Sequence, residues 1–103
     1  MIKTASILND IQLNDTAPVF SVMLDNNAVR EVRIACKAGQ LLAEHSAAHP
    51  IVVAVIEGEI DFTVESVNYN LNKGMMIALE ANVLHQFKAV TDSLVRLSIH
   101  KSS

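Results

Sequence analysis

Two histidines, His45 and His85, are the residues of this chain best suited to chemistry. Each stands at the end of a strand-like segment, and the two lie on opposite sides of the central stretch IVVAVIEGEIDF. Imidazole binds zinc, iron, copper, nickel and manganese, and it also holds organic ligands by hydrogen bonds. Residues so placed converge across the interior of a β-barrel. The alternative is that each is a barrel-lining histidine satisfied by a neighbour or by water.

A third histidine, His49, is the next candidate for the same site. It lies an even number of residues after His45, so an uninterrupted strand would put both on one face. Pro50 ends regular pairing, however, and this leaves His49 either at the mouth of the barrel or on an exposed loop. Open metal sites use three or four protein ligands. One hypothesis is therefore that His45, His85 and His49 hold one divalent ion, either Zn, Fe, Mn, Cu or Ni.

Length and composition limit the class of protein. The 103 residues form one domain, half of the chain is hydrophobic and 18% is charged, which is typical of a globular sequence. The formal charge is −3, and the four aromatic residues are scattered along the chain. The sequence therefore lacks the basic surface and the stacked aromatic residues of a nucleic-acid binder, and no nucleic-acid partner is expected. No signal-peptide core and no apolar run of roughly 20 residues occurs, so no membrane span is expected and a cytoplasmic protein is predicted.

Closely spaced turn residues divide the chain into short segments rich in Val, Ile and Leu, which predicts an all-β protein. In EIDFTVE, Ile60 and Phe62 alternate with charged or polar residues, as in a half-buried strand with a wet outer face. The predicted strands cover 18–24, 29–37, 41–45, 51–57, 59–65, 67–71, 75–79, 84–89 and 93–100.

Two of these segments are apolar on both faces, namely IVVAVI at 51–56 and MMIAL at 75–79. A strand of a small barrel needs only its inner face apolar, so the second face requires a cover. A homodimer is the leading expectation, since two-fold dimers are the commonest oligomers. The alternative cover is another sheet edge or the N-terminal segment of the same chain.

The histidines also stand in two glycine-anchored motifs, at about 39–58 and 74–89. The first reads GQLLAEHSAAHPIVVAVIEG and the second GMMIALEANVLHQFKA. In this respect the chain resembles the cupin superfamily, whose motifs are commonly written G-x5-H-x-H-x3,4-E-x6-G and G-x5-P-x-G-x2-H-x3-N. The positions in register are Gly39, His45, Gly58, Gly74 and His85. The resemblance implies a small single-domain RmlC-like cupin, that is, a jelly-roll barrel or double-stranded β-helix spanning 1–103.

The sequence departs from the family pattern at informative positions. Ala47 stands where the second histidine of the first motif is usual, and Ile51 stands where the glutamate is usual. Two of the four usual metal ligands are therefore absent. In the second motif Asn82 replaces a glycine, which is a mild change because Asn tolerates a left-handed backbone conformation.

Two main hypotheses about function follow. The first is a barrel that binds a small molecule in an apolar lumen, with His45 and His85 as polar contacts and Ile51, Val53 and Phe62 among the lining residues. The second is a metal-dependent enzyme of the oxygenase or isomerase type that uses a reduced histidine site. Cupins include dioxygenases, isomerases, decarboxylases and seed storage proteins, so the resemblance does not select a reaction. A third possibility is a protein that acts through its dimer surface.

Overall fold

Nine antiparallel strands and their connecting turns account for most of the chain in the computed structural model, which describes residues 2–101. Each strand begins and ends within one residue of its predicted bounds. The strands are β1 (Val19–Asp25), β2 (Val29–Cys36), β3 (Leu41–His45), β4 (Ile51–Glu57), β5 (Glu59–Val64), β6 (Val67–Asn72), β7 (Met76–Leu79), β8 (His85–Ala89) and β9 (Ser93–His100).

The strands form two sheets that enclose one core. The five-stranded sheet has the order β1-β2-β9-β4-β7, and the four-stranded sheet has the order β3-β8-β5-β6. Apart from the β1–β2 and β5–β6 hairpins, neighbouring strands in each sheet are far apart along the chain, as in a jelly roll. The prediction of an all-β, double-stranded β-helix is thus confirmed. Within residues 2–101 there is no helix long and apolar enough to cross a membrane.

The core forms where the inward faces of the two sheets meet. Ile51, Val53 and Val55 of β4 are buried, and Ile60 and Phe62 of β5 are fully buried. The intervening residues of β5 are half-buried and polar, as the alternation predicts. On this outer face Asn70 donates hydrogen bonds to the carboxylates of Glu59 and Asp61, at 2.8 and 3.0 Å.

The outer face of the five-stranded sheet is partly covered by the N-terminal segment. Arg33 is buried, and its guanidinium donates hydrogen bonds to the backbone oxygens of Ile7, Asn9 and Asp10 at 3.3, 2.6 and 3.1 Å. Ala5 and Ile7 face Ile56 of β4 across a small cavity. The N-terminal segment therefore covers one end of the second apolar face, as the alternative to a partner subunit supposed.

A tight turn at Gly58 joins β4 to β5. The φ angle of Gly58 is +91°, and a Cβ atom there would lie 2.5 Å from the oxygen of Asp92 and 2.8 Å from the Cα of Ser93. Glycine is therefore required for both backbone conformation and space. Asn82, in the turn before β8, also has a positive φ of 67°, as expected from its place in the second motif.

Candidate functional site

His45 and His85 lie side by side on neighbouring strands of the four-stranded sheet. His45 is the last residue of β3 and His85 is the first residue of β8, and their Cα atoms are directly paired in the ladder. Paired residues of an antiparallel ladder project to the same face. The ring centroids lie 4.3 Å apart with the planes tilted by 59°. The structure thus brings together the two histidines that the motifs single out.

The two imidazoles make the same local hydrogen bond. Nδ1 of His45 lies 2.9 Å from the backbone oxygen of Ala43, and Nδ1 of His85 lies 2.9 Å from that of Val83. A carbonyl oxygen only accepts hydrogen bonds, so each Nδ1 must carry the proton. In a neutral ring the proton on Nδ1 leaves Nε2 as an acceptor. No residue between 2 and 101 donates a hydrogen bond to either Nε2.

Burial differs between the two rings. His85 is only 3% exposed, and its ring stacks on that of Phe62 with centroids 5.5 Å apart and an angle of 9°. Burial lowers the pKa of His85, and the nearby His45 lowers it further, whereas the hydrogen bond to the Val83 oxygen acts in the opposite direction. His45 is exposed. The pair therefore extends from the protein surface into the interior.

Beside the pair lies an internal cavity of about 170 Å³. Ile51, Val53 and Phe62, which the sequence selects as ligand contacts, all line it together with His45 and His85. Its other lining residues are Ile34, Leu42, Ala47, Phe87, Leu97 and Ile99. The two histidines are the polar side chains of this lining, and the other nine residues are apolar.

Several of these lining residues were not selected from the sequence. Phe87 follows His85 by two positions and so shares its face of β8. Leu42 is the partner of Phe87 in the ladder. Its assignment to the lining required knowledge of the register of β3 against β8. Ile34, Leu97 and Ile99 belong to the opposite sheet, and only the packing of the two sheets brings them to the histidines. The parity signal could have identified Phe87, whereas the other four depend on tertiary structure.

A larger cavity, of about 250 Å³, lies under the N-terminal segment on the outer face of the five-stranded sheet. Its charged residues are Glu31 and Arg96, which form a two-point ion pair at 3.0 and 2.7 Å. Arg96 lowers the pKa of Glu31. Because these charged groups already bind each other, the smaller histidine-lined cavity is the better candidate site.

His49 is not among the residues that line the cavity with His45 and His85. It lies in the exposed turn between β3 and β4. In the part of the chain described, 2–101, no group of three or more His, Cys, Asp or Glu side chains is placed to hold a metal ion. Cys36 is fully buried, and burial raises its pKa to about 11, which favours the protonated thiol at neutral pH.

Comparison with known proteins identifies the family. Residues 32–100 match the family model described as the cupin domain, so this chain belongs to the cupin family. A search of proteins with curated functions gives no match.

Solved cupin structures have the same fold over nearly the whole chain. An RmlC-like cupin from Desulfovibrio desulfuricans is 24% identical, with a TM-score of 0.90 and 98% of each chain covered. An RmlC-like cupin from Shewanella frigidimarina is 19% identical, with a TM-score of 0.83 and coverage of 98% of this chain and 93% of that one. A third, from Methanocaldococcus jannaschii, is 16% identical, with a TM-score of 0.80 and coverage of 97% and 91%. At these identities the likeness concerns the fold.

The donor set of this site does not match the metal site that cupins commonly carry. Ala47 and Ile51 occupy the motif positions of a histidine and a glutamate, and both line the cavity beside His45 and His85. Their side chains offer no lone pair. Two imidazoles fall short of the three or four protein donors of an open metal site. The residues present do not fit a resident metal ion.

Proposed function

We propose that this cupin binds a small, mainly apolar molecule in the cavity between its two sheets, with His45 and His85 as the polar contacts. The observation that carries the proposal is the composition of the lining, which places two imidazoles in an otherwise apolar wall. Ligand sites commonly combine hydrophobic walls with a few placed polar groups.

Size supports a small ligand. An apolar cavity of about 150 Å³ is large enough for benzene, and this cavity measures about 170 Å³. The exposed ring of His45 at one edge and the buried ring of His85 within give the ligand polar contacts at two depths. A ligand seated there would be largely removed from water.

A thermal-shift screen of small molecules tests the proposal. A compound present at about ten times its Kd stabilises by about 1.4 kcal/mol, which raises Tm by roughly 5–10 °C in a domain of this size. The blocking variant is Ala47→Phe, because Ala47 lines the cavity. The matched control is Ala48→Phe, since Ala48 is the next residue, is exposed and lies outside the lining.

We expect the Tm shift to disappear in Ala47→Phe and to persist in Ala48→Phe. A shift of equal size in both variants would place the compound elsewhere and contradict the proposal. If no compound in a broad screen stabilises the unmodified protein, the proposal also fails.

The alternative is a metal-dependent enzyme of the oxygenase or isomerase type. It is supported by the closeness of the two rings, whose centroids are 4.3 Å apart and whose Nδ1 hydrogen bonds leave each Nε2 as an acceptor. This alternative needs further ligands from water or substrate, and it predicts near-stoichiometric metal in protein purified without chelator. Elemental analysis that finds such metal, and its loss in His45→Ala, would favour the enzyme over the binding protein.

Homodimer formation and a cytoplasmic location stay predictions. The outer face of β4 and β7 supports the first, because Val52 and Ala54 are only half-buried and Met76 and Ala78 are exposed. A second copy would bury this apolar surface.

A further inference from the structure

The hydrogen bonds of the two histidines limit what the cavity can recognise. Each Nδ1 is committed to a backbone oxygen, that of Ala43 or of Val83. In the neutral rings each Nε2 is then an acceptor with no proton to give. The centroids of these rings are 4.3 Å apart. The polar part of the site thus consists of two neighbouring acceptors.

Because both protein groups are acceptors, the ligand must supply the hydrogen-bond donor. A hydroxyl or N–H group of a ligand can donate its hydrogen to one of them. A carboxylate or phosphate would instead bring its own lone pairs against theirs. The cavity lining contains no Lys or Arg to offset that charge, and burial of an unpaired anion is costly.

The apolar part of the cavity determines the size and shape of the apolar part of the ligand. Phe62 and Phe87 line it with rings 6.1 Å apart at an angle of 18°, and Phe62 also stacks on His85. A flat ring packs well against such aromatic walls. With a volume of about 170 Å³, the cavity has room for one six-membered ring, since about 150 Å³ holds benzene.

From these constraints, and on the basis of the proposed function, we infer that the ligand is a neutral, one-ring molecule that donates a hydroxyl or N–H hydrogen to the His45–His85 pair. Phenol is the simplest compound of this class. Toluene has nearly the same shape without the donor, and benzoate has the ring with an anionic acceptor group.

The experiment titrates phenol, toluene and benzoate into the protein of residues 1–103 at neutral pH, both with and without EDTA, and binding is measured by NMR or calorimetry. Loss of one hydrogen bond weakens binding by up to roughly tenfold. We therefore expect phenol to bind about two- to tenfold more tightly than toluene, and benzoate to bind more weakly than both.

Variants assign the preference to the histidines. His45→Phe together with His85→Phe keeps both rings and removes both acceptors, so the phenol-to-toluene ratio of the folded double variant should fall toward one. Each single variant leaves one acceptor, and the variant that lowers the ratio identifies the histidine that accepts the hydrogen. The control is Ser46→Phe, because Ser46 is the exposed neighbour of His45 and does not line the cavity. It should keep the preference.

The outcomes separate this inference from the proposed function. Equal affinity for phenol and toluene, or a preference for benzoate, would overturn the inference and leave the binding function standing. A phenol preference that is abolished by EDTA would also overturn it, since the contact would then run through a metal. If none of the three compounds binds and a broad screen also fails, both the inference and the proposed function are wrong.

Discussion

At the residue scale, His45 and His85 make the same hydrogen bond in different surroundings. Each donates from Nδ1 to the backbone oxygen two residues before it, yet one ring is exposed and the other is 3% exposed. The hydrogen bond fixes the tautomer, and burial keeps the inner ring neutral. The two rings are thus oriented by backbone oxygens, those of Ala43 and Val83.

The residues that replace the usual metal ligands make a direct prediction. Ala47 and Ile51 both line the cavity with the histidines, so Ala47→His with Ile51→Glu would complete a set of four donors. We expect the folded double variant to bind about one zinc or nickel ion per chain. Isothermal titration with each metal measures the gain.

The matched control is Ala48→His with Ile51→Glu, because Ala48 is exposed and lies outside the cavity. It should bind metal more weakly than the first variant. No gain in a folded Ala47→His, Ile51→Glu protein would mean that the motif register assigned to Ala47 and Ile51 is wrong.

The site could be predicted in part. The glycine-to-histidine spacings identify His45 and His85, and strand parity places Ile51, Val53 and Phe62 on the inner face. The tautomers could not be predicted, because they depend on the backbone oxygens of Ala43 and Val83. The placement of His49 could not be predicted either, because Pro50 interrupts the strand parity.

At the element scale, the β4–β5 hairpin depends on Gly58. Both Gly58 and Gly39 have a positive φ, of +91° and +87°, but only at Gly58 would an added Cβ meet other atoms within 4 Å. The left-handed conformation alone costs about 1–2 kcal/mol for a residue with a Cβ. Crowding against Asp92 and Ser93 adds to this at Gly58.

We therefore predict that Gly39→Ala lowers the free energy of unfolding by about 1–2 kcal/mol and Gly58→Ala by about 2–5 kcal/mol. Urea denaturation of the two variants measures the difference. Equal losses would show that the crowding of Gly58 against Asp92 and Ser93 does not contribute.

The bounds of the strands could be predicted from the sequence, whereas the contacts of the N-terminal segment with Arg33 could not. Alternation and turn residues fix each strand within one residue of its observed ends. Arg33 lies between Val32 and Ile34, a pattern that by itself indicates a solvent-facing side chain. Its burial follows from three backbone oxygens of the N-terminal segment, and this segment has no periodic pattern of its own.

At the scale of the whole molecule, the outer face of β4 and β7 leads to a prediction about assembly. Met76 is 66% exposed beside the apolar side chains of β4. We expect sedimentation to show a species of twice the 11.2 kDa chain mass. Met76→Lys should shift it toward the monomer because a buried charge is costly.

The control is Asn70→Lys, which adds the same charge to the polar outer face of the opposite sheet. It should leave the dimer intact. A single 11.2 kDa species at all concentrations would contradict the prediction.

The central claim concerns one cavity of the whole molecule and the two histidines in its wall. Its most direct test is a crystal structure of the protein grown with the compound that gives the largest thermal shift. We predict density for the compound within the cavity, in contact with His45, His85 and the ring of Phe62. Density for the compound on another surface, with the cavity free of it, would contradict the claim.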